Sequence, residues 1–364
     1  MKEIECKHEI IRTFLDRHHL DGLVLQRVAS FAWAACGAAS YVNTAATFGA
    51  ASLLVTRDSR HVITNNIEAT RIVQEEKLAE QGWIVHAPFW YEGSDVVADL
   101  AGGMKLGSDS PFPGAIDLGD EVARLRASLL PEEGERFRQL GRMCAQAMDA
   151  AIRAVRPGMT EFEIAALLSQ ESERRGVQAI VNLIATDERI YNFRHPLPTG
   201  KKLDRYAMLV LCGRKWGLVC SLTRLVHFGR IADPELRRKI GAVAAVDAAM
   251  ISATRPGKTV GAIFSETIQA YTKSGYPDEW KLHHQGGPAA YEPREVIAVQ
   301  GSPDVVKAGQ VFAWNPSITG CKSEDTILVG REENEVLTVI EGWPVSPVSV
   351  NGVTLQRPDV LIVD

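Results

Sequence analysis

Arg156-Pro157-Gly158-Met159-Thr160-Glu161-Phe162-Glu163-Ile164 is the stretch that decides how this chain folds. Proline and glycine stop the helix before them, Thr160 takes the N-cap of the next, and Glu163, three residues on, completes a capping box. Upstream, Pro131 followed by Glu132, Glu133 and Glu135 suits the positive end of a helix. Phe137, Leu140, Met143, Ala147 and Ala151 then carry that helix roughly to Val155. Downstream, the second helix runs toward Arg175 and Gly176. Ninety-nine residues later the punctuation returns as Arg255-Pro256-Gly257-Lys258-Thr259, again between two helical stretches. An apolar strand follows each copy, at Ala207 to Leu211 and at Val311 to Trp314. Two αβ halves of this kind, facing each other, would enclose a pocket.

The first third has a different rhythm. Ile10, Ile11, Phe14 and Leu15 fall at helical spacing, Asp21-Gly22 is a turn, and Leu23 to Leu25 is a short strand. Phe31 to Ala35 and Ala51 to Val55 are further strand candidates. Arg57-Asp58-Ser59 punctuates a hairpin returning at His61 to Thr64, and Asn66 to Glu75 reads as a helix. Such alternation implies a sheet with helices packed on it. A boundary at Leu130-Pro131 divides the chain into an N-terminal α/β domain, residues 1–129, and a C-terminal domain, residues 130–364.

A chain of 364 residues suits two domains, and 46% hydrophobic with 23% charged residues is a globular composition. With 45 acidic against 40 basic residues the net charge is −5, a poor basis for binding nucleic acid. No apolar run reaches the length of a bilayer span and the N-terminus lacks a secretory pattern, so a cytoplasmic protein with no membrane partner is expected. The six cysteines contain no CxxC pair, which argues against a zinc ribbon or a disulfide framework.

Five segments, in order, resemble the pita-bread (M24) family of creatinase, aminopeptidase P and prolidase. The segment from Arg156 to Ile164 is similar to the entry into that family's C-terminal domain. Ser221-Leu222-Thr223-Arg224 resembles its Asp-Ile-Thr-Arg signature. His284-Gln285-Gly286-Gly287, then Tyr291-Glu292-Pro293, resembles its His-Gly-x-Gly and His-Glu-Pro run. Gln310 to Pro316 resembles the strand ending in Glu-Pro-Gly, and Ser323 to Val329 the closing Glu-Asp-Thr strand. The resemblance implies an α+β fold: a creatinase/prolidase-type N-terminal domain and a pita-bread domain with pseudo-two-fold duplication. It also implies a homodimer, with Arg27 and Phe31 placed at the partner's site.

The departures bear on the chemistry. The family's metallopeptidases hold two divalent ions on Asp, Asp, His, Glu and Glu. The matching positions here are Val210, Ser221, His284, Asn315 and Glu324, which leave one imidazole and one carboxylate. Bridging carboxylates are needed to neutralise two dications, so no metal and no other cofactor is expected. Creatinase is the family's precedent for hydrolysis without metal, through a histidine that matches His195, fifteen residues before Val210. An imidazole titrating near neutrality can take a proton and return it.

The resemblance therefore implies a metal-independent hydrolase of a C–N bond (amide, amidine or related) in a small molecule. His195 is expected as general base and acid, with His284 and Glu324 completing the catalytic set. Asn315, Ser221, Arg224, Tyr291, Glu292 and Trp314 are expected to contact substrate. Glu324, left without a metal, would find its counter-charge in His284, in Arg224 or in a cationic group of the substrate. Two alternatives stay open: a catalytically silent binding protein of the same fold, and an Xaa-Pro peptidase with atypical ligands.

Overall fold

The computed structural model describes every residue except Met1, Ser94 and Asn351. The chain forms two compact units. One ends at Arg126 and takes in Trp216–Leu218, and the other comprises Ala127–Lys215 and Val219–Asp364.

The first unit is built on a six-stranded mixed sheet. Its strand order is Ile84–His86, Arg60–Ile63, Phe48–Thr56, Gly22–Arg27, Leu106–Ser108 and Ala115–Asp117. Leu23, Val24 and Leu25 are buried on both faces of the central strand, and Glu3–His18 packs its apolar stripe against the sheet. The strand expected at Phe31 to Ala35 is instead the helix Val28–Ala34, with all seven residues buried. A short run that is apolar all round has no periodicity to separate helix from strand. Phe31 is wholly buried, so it has no surface to offer a partner. Arg27 Nε donates to Asp109 O at 3.0 Å.

In the second unit the helices Pro131–Ala154 and Glu161–Glu173 meet at the first Arg-Pro-Gly turn, and Pro234–Ala253 and Val260–Lys273 at the second. The two turns are held alike. Gly158 N donates to Leu203 O at 2.8 Å and Gly257 N to Val306 O at 2.9 Å, while Leu203 N and Val306 N return to Met159 O and Lys258 O. Thr160 Oγ1 caps Glu163 N and Thr259 Oγ1 caps Ala262 N, each at 3.2 Å. Only the first has the glutamate that closes the box from the other side, at 2.7 Å to Thr160 N.

Two four-stranded sheets carry this unit's core. One runs Leu361–Val363, Leu218–Phe228, Tyr206–Lys215, Gln178–Thr186, and the other Gly286–Ala289, Val311–Trp314, Asp325–Leu328, Glu335–Val336. A bridge between Thr223 and Glu324 joins them, with Thr223 N donating to Glu324 O at 3.1 Å. At this seam successive residues point to opposite faces. Thr223 and Glu324 face one side; Arg224 and Asp325 face the other. There Asp325 accepts from Arg224 at 2.7 Å, Thr338 at 2.6 Å and Arg357 at 2.5 Å, and Arg357 also binds Asp247 at 2.6 Å. Two guanidinium groups balance two carboxylates, so this wholly buried set is neutral.

Gly286 sets the spacing of the other sheet. Its φ is +96°, and an added Cβ would lie 2.1 Å from Ala313 O. Only glycine allows that approach, and it brings the chain after His284 against the strand that ends before Asn315. Among the described residues no helix is long and apolar enough to cross a membrane.

Candidate active site

A cavity of about 270 Å³ opens in the second unit, lined on one side by Val181, Leu183, Val210, Cys212, Pro293 and Ile297. Strand alternation explains the pairs Val181 with Leu183 and Val210 with Cys212, each two residues apart on one face. The polar lining is His195, His284, Arg294, Asn315, Lys322 and Glu324. His195, His284, Glu324 and Asn315, all singled out in the sequence, therefore line one cavity.

Glu324 lies at the centre. Arg294 Nη2 donates to its Oε1 at 2.9 Å. Lys322 Nζ lies 2.9 Å from Oε2, which also accepts from Thr223 Oγ1 at 2.6 Å. Burial would raise this carboxyl, but Lys322 and Arg294 together with Thr223 bring it down to about 2, so it is ionised at neutral pH. Neither of the two side chains expected from the sequence as its counter-charge, His284 and Arg224, is the partner found. Lys322 stands two residues before Glu324 and shares its face, and Arg294 follows the Tyr-Glu-Pro segment directly. Both were missed, although a buried carboxylate demands a cation and each lies beside a quoted motif.

Three imidazoles converge beside this group. His195 Nε2 and His283 Nε2 are 3.0 Å apart, and His283 stacks on His284 with ring centroids 4.4 Å apart. Desolvation, then the charge of Lys322, pushes His283 down to about 2. Desolvation, then Arg294, takes His284 down to about 4. His195, the exposed member, is lowered by desolvation and then by Lys322. All three are neutral at pH 7. Cys212 is pushed up to about 11 by burial, so it is a neutral thiol and a poor nucleophile.

Several expected substrate contacts lie elsewhere. Arg224 faces away, in the buried ion-pair network described above, because it alternates with Thr223. Trp314 is a core residue whose Nε1 donates to Thr254 Oγ1 at 2.9 Å, since it alternates with Asn315. Tyr291 is buried, its hydroxyl donating to Glu133 Oε1 at 2.5 Å. Ser221 is buried behind the lining, donating to Cys212 Sγ and accepting from Arg294 Nη1, both at 3.2 Å. Glu292 is half-buried and is not part of the cavity wall.

The model of metallopeptidase family M24 matches residues 135–331. The chain belongs to metallopeptidase family M24. An agropine synthesis cyclase of Rhizobium rhizogenes is 28% identical over 217 residues, 52% of this chain and 53% of that protein. An uncharacterized peptidase of Staphylococcus aureus (strain MW2) is 25% identical over 63% of this chain and 66% of its own length. The chain thus spans about half to two thirds of the length of these relatives. The Xaa-Pro dipeptidase from Bacillus anthracis has a TM-score of 0.79 at 20% identity, covering 99% of this chain and 100% of that one. That likeness establishes the mixed α/β pita-bread fold.

The M24 family implies a pair of divalent ions, and the residues at this M24 site do not fit one. Val210 offers an isopropyl group, Ser221 and Asn315 are neutral, and Glu324 already faces two cations. A single ion on His195, His283 and His284 fits little better. Their ring nitrogens spread over up to 4.8 Å, whereas tetrahedral zinc holds its nitrogen ligands about 3.3 Å apart. Lys322 and Arg294 would also repel it.

The lowered imidazoles have a measurable consequence for this M24 protein. The unfolded chain takes up protons on His283 and His284 below pH 6.5, while the folded chain does not until about pH 2 and pH 4. Stability is therefore complete above pH 6.5 and falls as pH drops below it, by up to about 1.4 kcal/mol per pH unit for each ring. Urea unfolding from pH 7.5 to 4.5 measures this, and replacing both histidines with asparagine should flatten the slope.

Proposed function

We propose that this M24 protein is a metal-independent hydrolase of a C–N bond in a small molecule, with His195 as general base and then general acid. The observation that carries the reading is the charge arrangement at Glu324. Arg294 and Lys322 lie where positive charge is needed to balance the one remaining carboxylate, and neutral imidazoles stand beside them. In the proposed step His195 takes a proton from water as the oxygen bonds to the carbon. It then returns that proton to the nitrogen as the C–N bond breaks. His283, 3.0 Å away, orients the ring by sharing one N–H with it. Arg294 and Lys322 supply fixed positive charge for the oxyanion.

The likeness to a cyclase favours a second reading at the same site. There a nucleophile within the substrate takes the place of water, the proton handling is unchanged, and a ring closes.

Turnover of a panel of N-acyl amino acids, amides and guanidines, followed by mass spectrometry with and without chelator, tests both readings. Persistent turnover in chelator is expected, with water added for hydrolysis and a ring-closed product for cyclisation. Activity abolished by chelator and restored by divalent metal would sink the metal-free mechanism.

A further inference from the structure

His195, His283 and Lys322 stand on three segments far apart in sequence, and one polar cluster ties those segments together. Arg194 Nη2 donates to Glu279 Oε2 at 2.7 Å and to Thr319 Oγ1 at 3.0 Å. Thr319 N and Thr319 Oγ1 both donate to the same Glu279 oxygen, each at 3.0 Å. The threonine hydroxyl thus accepts one bond and gives one, which its single hydrogen allows. Arg194 and Glu279 are only 17% and 18% exposed, so water competes weakly for these bonds. None of the three residues lines the cavity.

Each member sits a short step along the chain from a site residue. Arg194 directly precedes His195, Glu279 comes four residues before His283, and Thr319 three before Lys322. Two of these segments have little else to fix them. His195 is exposed, in irregular chain after the short helix Glu188–Asn192. His283 follows the single helical turn Glu279–Leu282, none of whose residues is buried. The third segment is a stiff lever. Ser317–Ile318 pairs with Cys321–Lys322, leaving Thr319 and Gly320 as a two-residue turn. Gly320 has φ +104°, and an added Cβ there would lie 2.5 Å from the Tyr191 ring. The turn therefore packs tightly on the helix that leads to His195, where only glycine fits.

We infer that Arg194, Glu279 and Thr319 are positioning residues, whose ion pair and hydrogen bonds hold His195 against His283 and both beside Lys322. The inference rests on the reading that His195 moves the proton, and it adds residues that act on that ring without touching substrate. With the cluster broken, the exposed His195 swings towards solvent. Its imidazole then escapes the desolvation and the Lys322 charge that lower it, and titrates nearer its ordinary 6.5. Loss of the Glu279 charge alone has the opposite sign, because an imidazole that loses a nearby anion titrates lower. The direction of the shift therefore separates positioning from a simple charge effect.

Proton–nitrogen NMR of the histidine rings in the full chain tests this without requiring turnover. In the parent, His195 should titrate below 6.5 and show a nuclear Overhauser contact to the His283 ring, whose centroid is 4.8 Å away. In Glu279→Ala the His195 titration should rise by about half a pH unit or more, and the ring contact should fade. Arg194→Met, which keeps the apolar stem and removes the donors, should lose the contact as well. Either variant decides alone if the other fails to fold. A His195 titration that stays in place or falls in Glu279→Ala, or a ring contact intact in either variant, would overturn the inference. Because the rings are read directly, failure of the hydrolytic reading shows up separately, as these ring shifts without turnover in the parent.

Discussion

His195→Ala should lower kcat by roughly a hundred- to ten-thousand-fold, the usual yield of a positioned general acid–base group, while the protein melts within a few degrees of the parent. The side chain is exposed and, among the described residues, its one side-chain hydrogen bond is to His283, so little packing is lost. The pH profile carries the second half of the prediction. Desolvation and the charge of Lys322 hold His195 below its ordinary value, so the acid limb of kcat/KM should lie below pH 6.5. It should move upward in Lys322→Met, where the repelling charge is gone. An alanine variant of normal stability and undiminished turnover would remove His195 from the mechanism.

Glu324→Ala should cost about 3–5 kcal/mol of stability, the cost of stranding buried charge. The carboxylate is the shared partner of Arg294 and Lys322, whose side chains are 7% and 5% exposed. Its removal leaves two like charges facing each other with no anion between them. Adding Lys322→Met to Glu324→Ala should recover part of that loss, because one stranded charge is withdrawn. Urea unfolding of the two single variants and the double variant measures the coupling. If Glu324→Ala is nearly neutral, the carboxylate does not hold this site together.

The fold was legible wherever local chemistry spoke for itself. Thr160 with Glu163 announces a capping box from sequence, and Val311 to Trp314 is found as the strand with those bounds. Pro131 does open the long helix. The helix Val28–Ala34 was hidden because seven buried residues leave no polar face to set a period. At the site, His195, His284, Asn315 and Glu324 could be named through their order along the chain. Arg224 could not be placed, because which face it takes depends on the register of the Thr223–Glu324 bridge, fixed only by tertiary pairing. For the same reason Trp314 turns into the core while its neighbour Asn315 reaches the cavity. Arg294 and Lys322 were missed because they stand at no ligand position of the family. They matter through the charge they balance, and that requires knowing which side chains share the cavity.

In the proposed mechanism, side-chain cations take over the charge role of the family's two metal ions. Elemental mass spectrometry of the purified protein, after equilibration with excess zinc, manganese and cobalt and then gel filtration, measures whether any such ion is held. Far less than one divalent ion per chain is expected, unchanged in Glu324→Gln. Two ions retained per chain, and released by that substitution, would contradict it.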